Sequence, residues 1–545
     1  MRCLRVPPSR KTSHPGDWRM VKDSHKERLL ELFSLPHSLA SRSDTKERVF
    51  ASLESLIRSS NVRTNVDHSL LVSHFRNTES PLQSVSVESY MDHLVKHVLP
   101  HSINMASPRC LGHMTTVVPE FIRQLDDMLD LLNQNLVKAD ASRSFTLLER
   151  QTLAIVHRLI YGFDDQFYDE HVQNEESSLG IVTSGGTLSN ITALWIARNA
   201  CFKPLNGFSN VEEEGMLKTL EHYGYKRAVV VGSSLMHYSI EKAVSILGIG
   251  ARNLIKIPVD QRNRVDTKQL RQVIADCQTR KVRVIAIVGV AGSTDCGSID
   301  PLSEMADVAS EAGVHFHVDA AWGVPFLFSP VHQKKLSGIE RADSVTADFH
   351  KQMYLPLGSS MLLLRDPAAA KIIEKQTGYI LHEGAGDLGQ RSLEGSRRGT
   401  IINLNAALNI IGHEGYAFLT EENIRKAQFM ADLVKRAPEF ELLCEPETNI
   451  VLYRYIPLAW RAASAQGTLS NEANLRINTI NEQIQKAQYE AGRTYVSRTK
   501  LNGVYRRYPV PIVAFRAVVA NPLTREEDIK MILEDQFRLA SELTV

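Results

Sequence analysis

Apolar positions change their period along the chain. From about Asp23 to Gln134 they recur at helical spacing, as in "KERVFASLESLI" and "MDHLVKHVL". Beyond that point short β-branched runs alternate with amphipathic segments. Strands are predicted at "GIVTSG", "RAVVVGSS", "NLIKIPV", "VRVIAIVGVAG", "VHFHVDAA", "SVTAD" and "SSMLLLR". Helices are predicted between them at "TLSNITALWIARNA", "YSIEKAVSILG", "TKQLRQVIADC" and "PLSEMADVASEAG". Such alternation predicts an α/β domain with a mostly parallel central sheet. After about Asn403 a further helical stretch leads to "NIVLYRYI", "VPIVAFRAVVAN" and a last helix, "REEDIKMILEDQFRLA", a pattern of a smaller α+β domain. The expected division is an extension over 1–22, a helical N-terminal segment over 23–134, a large domain over 135–402 and a small C-terminal domain over 403–545. The glycine-rich "GYILHEGAGDLGQRS" lacks a period and is expected to be a mobile loop.

The 545 residues are 43% hydrophobic and 23% charged, an ordinary globular composition. A formal net charge of +1 supplies no bulk attraction for nucleic acid or an anionic membrane. Any preference for an acidic substrate must then come from local charges. The six cysteines are scattered and form no CxxC pair. That spacing argues for free thiols in a reducing compartment, and against a metal site. No apolar stretch is long enough to span a bilayer. The basic N-terminus lacks the apolar segment of a secretory signal, so residues 1–22 are expected to be disordered, with Met20 a second candidate start. The expected location is the cytoplasm.

Four short stretches carry candidate chemistry. In "VTSGGTLSN" a strand meets two glycines and a helix, so Gly185, Gly186 and Thr187 can cradle a phosphate at a helix N-terminus. The plainer alternative is a strand–turn–helix junction capped by Thr187. In "HFHVDAAWG" Asp319 closes an apolar strand, where open α/β sheets bind ligands. It can pair with a protonated ring nitrogen or cap the next turn. His237, in "MHYSIEKA", follows a strand and opens a helix, where it can stack on a flat ring or simply cap. Lys351, in "ADFHKQM", sits among apolar residues. A lysine in such a setting is nucleophilic near neutral pH and able to form a Schiff base, unless its head reaches solvent. Together these groups supply what pyridoxal phosphate requires: a Schiff-base lysine, an acidic partner for its ring nitrogen, and donors for its phosphate.

Seven motifs occur in order between about Ser107 and Ala540: "SGGTLSN", "HYSIEKA", "AGSTDCGSIDP", "HVDAAWG", "ADFHKQM", "SLEGSRR" and "FRAVVANP". With them the chain resembles the pyridoxal-phosphate-dependent group II amino-acid decarboxylases. Within that family it is most similar to the glutamate and bacterial aspartate decarboxylases. The resemblance implies a fold-type I, aspartate-aminotransferase-like architecture. It implies that Lys351 holds the cofactor as a Schiff base and that Asp319 pairs with the pyridine nitrogen. His237 is implied to stack on one ring face and Ala321 on the other. Gly185, Gly186, Thr187 and His350 are implied to bind the phosphate, and Thr294 to lie near the ring hydroxyl or the substrate. Arg516 matches an arginine that binds a substrate carboxylate, a role suited to its planar fork. His113 and Asn135 fall at substrate-pocket positions. A homodimer is implied, with the N-terminal helices and the glycine loop exchanged. Related decarboxylases carry a proton-donating tyrosine on that loop, but "HEGAGDLGQ" has none. Tyr379 and His382 are the nearby candidates, His382 the stronger.

The expected activity is α-decarboxylation of an acidic L-amino acid, first L-aspartate to β-alanine and CO2, alternatively L-glutamate to γ-aminobutyrate. Cysteine sulfinate, another amino acid, an aromatic substrate or a transamination on the same scaffold are less favoured. A non-catalytic phosphate- or nucleotide-binding scaffold is the reading from outside enzymology.

Overall fold

The computed structural model describes residues 30, 32–33, 44–59, 61–82, 84–205, 207–376, 386–501 and 510–543. The chain divides into two compact units. One comprises Met1–Leu56 and Arg76–Pro100. Within it the helix Val87–His97 is capped by Ser86, whose hydroxyl accepts from the Ser89 amide. Arg48 pairs with Glu88 at 3.0 Å and Asp92 at 3.5 Å.

The second unit, Ile57–Phe75 and His101–Val545, holds two sheets. The larger is built from β1 (Gly180–Thr183), β2 (Arg227–Ser233), β3 (Leu254–Ile257), β4 (Val282–Val290), β5 (His315–Asp319), β6 (Ser344–Asp348) and β7 (Ser360–Leu364). Their spatial order is β1-β7-β6-β5-β4-β2-β3. β3, β2, β4, β5 and β6 run parallel, and β7 is antiparallel to both of its neighbours. All seven predicted strands are present, joined by the predicted helices Gly186–Cys201, Tyr238–Ile246, Thr267–Thr279 and Leu302–Ala312.

Alternation within these strands explains why both faces are covered. Along β2, Val229 and Val231 join the cluster of Ile287, Phe316, Val318 and Trp322. Ala228 and Val230 join the opposite cluster, with Ile191, Leu194 and Ile240. A strand with two apolar faces needs helices on each side, which a parallel sheet with helical crossovers supplies.

The smaller sheet is antiparallel, with β8 (Phe440–Leu442), β9 (Ile450–Tyr455), β10 (Ser497–Leu501) and β11 (Ile512–Val518) in the order β10-β11-β9-β8. One face, with Val451, Tyr453 and Phe515, packs on Ile484, Ile529 and Ile532 of the helices Asn471–Ala491 and Glu526–Leu543. The other face, with Leu452, Ile512 and Ala514, packs on Leu235, Val259 and Cys296, which follow strands of the larger sheet. Period-two alternation therefore turns Arg516, in register with Ile512 and Ala514, toward the larger sheet. β10 and the helix Asn471–Ala491 escape the sequence reading. β10 is "SRTKL", whose polar positions leave no apolar alternation to read.

Candidate active site

The C-terminal ends of the parallel strands open onto a cavity of about 290 Å³. Strand ends and the turns after them supply its walls, as expected for an open α/β sheet. Gly185, Gly186 and Thr187 form one wall and His237 another, and Thr294, Asp319, Ala321, His350 and Lys351 complete the set. Nine residues predicted from five separate stretches thus meet around one space.

Gly186 begins the helix Gly186–Cys201 and has no room for a side chain. A Cβ there would lie 2.8 Å from both carboxylate oxygens of Asp348. The backbone amides of this first turn point into the cavity end of the helix, a ready anion cradle.

Asp348 closes β6 and is nearly fully buried. Lys351 Nζ lies 2.8 Å from Asp348 Oδ2, His350 Nε2 lies 3.7 Å from the same oxygen, and Ser360 Oγ donates to Oδ1 at 2.5 Å. Burial raises the Asp348 carboxyl, but Lys351 and His350 outweigh it and hold the group below its ordinary value. The apolar setting read for Lys351 is therefore corrected: a buried carboxylate three residues earlier receives its amine. His350 Nδ1 donates to the Ser359 carbonyl at 3.1 Å. With Nδ1 committed, Nε2 donates to an anion only when the ring is cationic. Burial lowers the His350 pKa and Asp348 opposes it. An anion in the cavity would favour the cation further.

Asp319 ends β5, with 7% of its surface exposed. Its Oδ1 accepts from the Ala321 amide at 3.2 Å, and its Oδ2 from Asn190 Nδ2 at 2.9 Å. Asn190 is a fully satisfied hub. Its Nδ2 also donates to Ser239 Oγ at 2.8 Å, and its Oδ1 accepts from Thr346 Oγ1 at 2.7 Å and His317 Nε2 at 3.0 Å. Burial pushes the His317 pKa down to about 3, so the ring is neutral, with the proton on Nε2 for Asn190.

His237 caps the helix Tyr238–Ile246: the Ser239 amide donates to its Nδ1 at 3.4 Å. Ser239 Oγ, which accepts a hydrogen bond from Asn190 Nδ2, lies 2.9 Å from the same nitrogen and donates to it. Both contacts make Nδ1 an acceptor and leave the proton of the neutral ring on Nε2. Burial lowers the His237 pKa against the opposing fields of Asp319, Asp348 and Asp295.

Arg516 lies beyond Thr294. Its Nε donates to the Thr294 carbonyl at 2.5 Å and its Nη1 to Ser497 Oγ at 3.2 Å. Nη2 is buried and has no hydrogen-bond partner among the described residues. His113 adjoins the cavity residue Met114, and its Nδ1 meets Thr115 Oγ1 at 2.7 Å. Burial lowers its pKa, with Arg516 and His350 adding to the effect. Asn135 is not brought to the cavity. Its side-chain oxygen accepts from the Arg397 amide at 3.1 Å and the Val137 amide at 3.4 Å, tying two chain segments together. His382 and Tyr379 lie outside the described residues.

Asn190 and Asp348 are the members that the sequence reading passed over. Asn190 stands one helical turn after Gly186, on the same helix face, which is the available signal. Asp348 is the last residue of a predicted strand, the position from which the other site residues were drawn.

This donor set fits pyridoxal phosphate: an anion cradle that admits only glycine, a buried carboxylate at a strand end, a lysine, and a neutral ring facing the same space. The chain matches the pyridoxal-dependent decarboxylase conserved domain over residues 74–456. It is 39% identical over 522 residues to the aspartate 1-decarboxylase of Aliivibrio fischeri (strain ATCC 700601 / ES114), covering 95% of each chain. It is 28% identical over 468 residues to the L-2,4-diaminobutyrate decarboxylase of Rhizobium meliloti (strain 1021), covering 85% of this chain and 84% of the relative. The crystal structure of the glutamate decarboxylase domain of diaminobutyrate-pyruvate transaminase and L-2,4-diaminobutyrate decarboxylase from Vibrio parahaemolyticus superposes with a TM-score of 0.78 at 22% identity, over 95% of this chain and 99% of that one. The structure of Oryza sativa TDC with PLP and tryptamine superposes with a TM-score of 0.76 at 18% identity, over 98% of this chain and 100% of that one. Among the described residues no helix is long and apolar enough to cross a membrane. The chain belongs to the pyridoxal-dependent decarboxylase family, as a fold-type I, pyridoxal-phosphate-dependent amino-acid decarboxylase.

Proposed function

We propose that the protein decarboxylates an acidic L-amino acid, L-aspartate to β-alanine first and L-glutamate to γ-aminobutyrate as the alternative. The observation that carries the acidic-substrate reading is the buried Arg516 guanidinium, whose Nη2 has no partner among the described residues. A buried donor left unpaired is costly, and a substrate carboxylate would satisfy it with a charge-assisted bond. Likeness to the aspartate 1-decarboxylase supports aspartate over glutamate. Likeness to L-2,4-diaminobutyrate decarboxylases adds a diamino acid to the panel worth assaying.

Pyridoxal phosphate, when bound, withdraws electrons from the substrate Cα and so lowers the barrier to CO2 loss. In this reading Lys351 is its covalent anchor, and Asp348 receives the lysine ammonium whenever it is released. Asp319, oriented by Asn190 and the Ala321 amide, holds the proton on the ring nitrogen. His237, as a neutral imidazole, and Ala321 would hold the cofactor ring between them. The amides of Gly185, Gly186 and Thr187 bind the phosphate together with cationic His350. Thr294 positions the reacting end beside Arg516, and His113 lines the substrate side. His382, placed by sequence alone, holds the proton destined for Cα. Replacing it with alanine should slow turnover and release aldehyde by-products; unchanged turnover without aldehyde contradicts the assignment.

The functional unit is a homodimer, as the family likeness suggests, and a fully active monomer on sizing contradicts it. Cys110, Cys201, Cys277 and Cys296 are free thiols, which suits a cytoplasmic location. CO2 release from a panel of amino acids tests the substrate. Fastest release from L-aspartate, then L-glutamate, supports the proposal; fastest release from an aromatic amino acid, or stoichiometric keto acid in place of CO2, contradicts it.

A further inference from the structure

A buried asparagine next to β9 closes a ring of three hydrogen bonds with the residues that follow Lys351 and Ala321. Trp322 Nε1 donates to Asn449 Oδ1 at 3.0 Å, Asn449 Nδ2 donates to Gln352 Oε1 at 2.9 Å, and Gln352 Nε2 donates to the Trp322 carbonyl at 2.8 Å. The direction of each bond is fixed. An indole nitrogen only donates and a backbone carbonyl only accepts, so neither amide can turn round without losing partners. Asn449, Trp322 and Gln352 are all buried, so a bond broken here is not replaced by one to water.

Each corner of the ring belongs to a different part of the site. Gln352 directly follows Lys351, and Trp322 directly follows Ala321 and lines the cavity. Asn449 stands immediately before β9 and is also bound to the end of β11. Its Nδ2 donates to the Val519 carbonyl at 3.0 Å, and the Val519 amide donates back to the Asn449 carbonyl at 2.9 Å. Val519 lies three residues after Arg516. A second tie runs through Trp322. A Cβ at Gly292, whose φ is +94°, would lie 2.8 Å from the indole ring, so ring and loop are pressed together. Gly292 leads into Thr294, whose carbonyl takes Arg516 Nε. Asn449 thus connects the turn that holds Lys351 to the strand that carries Arg516.

We infer that Asn449 is a positioning residue that sets the span between Lys351 and Arg516, and through that span the choice between L-aspartate and L-glutamate. The inference rests on the reading of Arg516 as the group that takes the side-chain carboxylate. The two substrates differ by one methylene, so their side-chain carboxylates stand at different distances from the reacting Cα. A rigid joint accepts one of those distances and misplaces the other. Discrimination over one methylene reaches roughly 10- to 200-fold, and it needs a site whose two ends do not yield. Asn449 supplies that stiffness, because both of its amide hydrogens are committed, one to each side of the joint.

The test uses the holoenzyme and its Asn449→Ala and Gln352→Ala variants, with Asn449→Ser should Asn449→Ala fail to fold. Tyr453→Phe is the control, since it removes another buried hydrogen bond of β9, one directed to Gln536 of the last helix at 2.9 Å. Two quantities are read: kcat/KM for L-aspartate and for L-glutamate, and the amount of cofactor that borohydride fixes per chain. Breaking the joint on either side should move the ratio of the two kcat/KM values roughly tenfold toward one, with the fixed cofactor retained. Combining Asn449→Ala with Gln352→Ala should move it no further than either change alone, as residues acting through one ring are not additive. Tyr453→Phe should leave the ratio as in the parent. An unchanged ratio in Asn449→Ala, or an equal shift in Tyr453→Phe, overturns this inference alone. Proportional loss of both activities, or loss of the fixed cofactor from the Asn449 and Gln352 variants, marks a merely structural role and overturns it as well. So does a parent that handles both amino acids equally, since there is then no span to set. A parent that releases CO2 from neither overturns the acidic-substrate reading together with it.

Discussion

Asn190 donates to Asp319 at 2.9 Å and, through the same nitrogen, to Ser239 at 2.8 Å, and Ser239 donates in turn to His237. One buried amide therefore orients both the carboxylate and the imidazole that face the cofactor site. Replacing Asn190 with alanine should leave the fold intact and lower kcat/KM about 10- to 100-fold, the scale seen when a partner that orients a site group is lost. Asn190→Asp should be worse, because a second carboxylate beside Asp319 disfavours its ionised form. Steady-state CO2 release and cofactor titration of the two variants check the order; equal activities contradict it.

Gly186 offers a steric test of the anion cradle. A methyl group there lands 2.8 Å from the buried Asp348 carboxylate, which Lys351 and Ser360 already hold. Gly186→Ala should cost about 1–3 kcal/mol of stability, the scale of overpacking. Cofactor affinity should fall with it, since the first helical turn must shift. Thermal unfolding and a fluorometric cofactor titration measure the two effects. Normal affinity and stability together would show that the turn is not confined.

Much of this site was legible because strand ends announce themselves. Asp319 ends an apolar run, His237 and Lys351 lie in the turns three to four residues after one, and the parallel sheet brings such ends together. The partners that orient them were not legible. Asn190 sits inside a helix, and its four hydrogen bonds come from elements separated by up to 156 residues in sequence. Asp348 belongs to the "SVTAD" strand, where nothing marks its carboxylate as the partner of a lysine three residues later. Asn135 was drawn in by a motif position, although its side chain serves two backbone amides elsewhere. β10, on which Ser497 sets the geometry of Arg516, has too few apolar residues to be seen as a strand.

The buried histidines give the protein an acid limit. His317 and His157 are held neutral by burial, with pKa values pushed down to about 3 and about 4. Each folded value lies below that of the unfolded chain, so the stabilisation is fully present above about pH 6.5 and is lost as pH falls toward the folded values. For His317 the loss reaches at most roughly 5 kcal/mol. Because its Nε2 proton serves Asn190, acid should also disturb the hub. His317→Gln, which keeps a donor without a titrating ring, should flatten the fall in stability between about pH 6 and pH 4. Urea unfolding at several pH values checks this, and an unchanged slope contradicts it.

Arg516 should not tolerate lysine. Its three nitrogens face the Thr294 carbonyl, Ser497 and the buried space beyond Nη2, a fork that an ammonium group cannot reproduce. Arg516→Lys should raise KM for L-aspartate about 10-fold or more, consistent with the loss of one charge-assisted hydrogen bond. Initial rates over a range of aspartate concentrations measure it; an unchanged KM shows that the carboxylate binds elsewhere.

The central claim is that Lys351, paired with Asp348 while its amine is free, is the covalent anchor of the cofactor. Borohydride reduction of the holoenzyme, followed by peptide mass mapping, tests it directly. The account predicts a phosphopyridoxyl group on the peptide containing Lys351, and its disappearance in Lys351→Ala. A reduced adduct on a different lysine, or an undiminished adduct in Lys351→Ala, would contradict it.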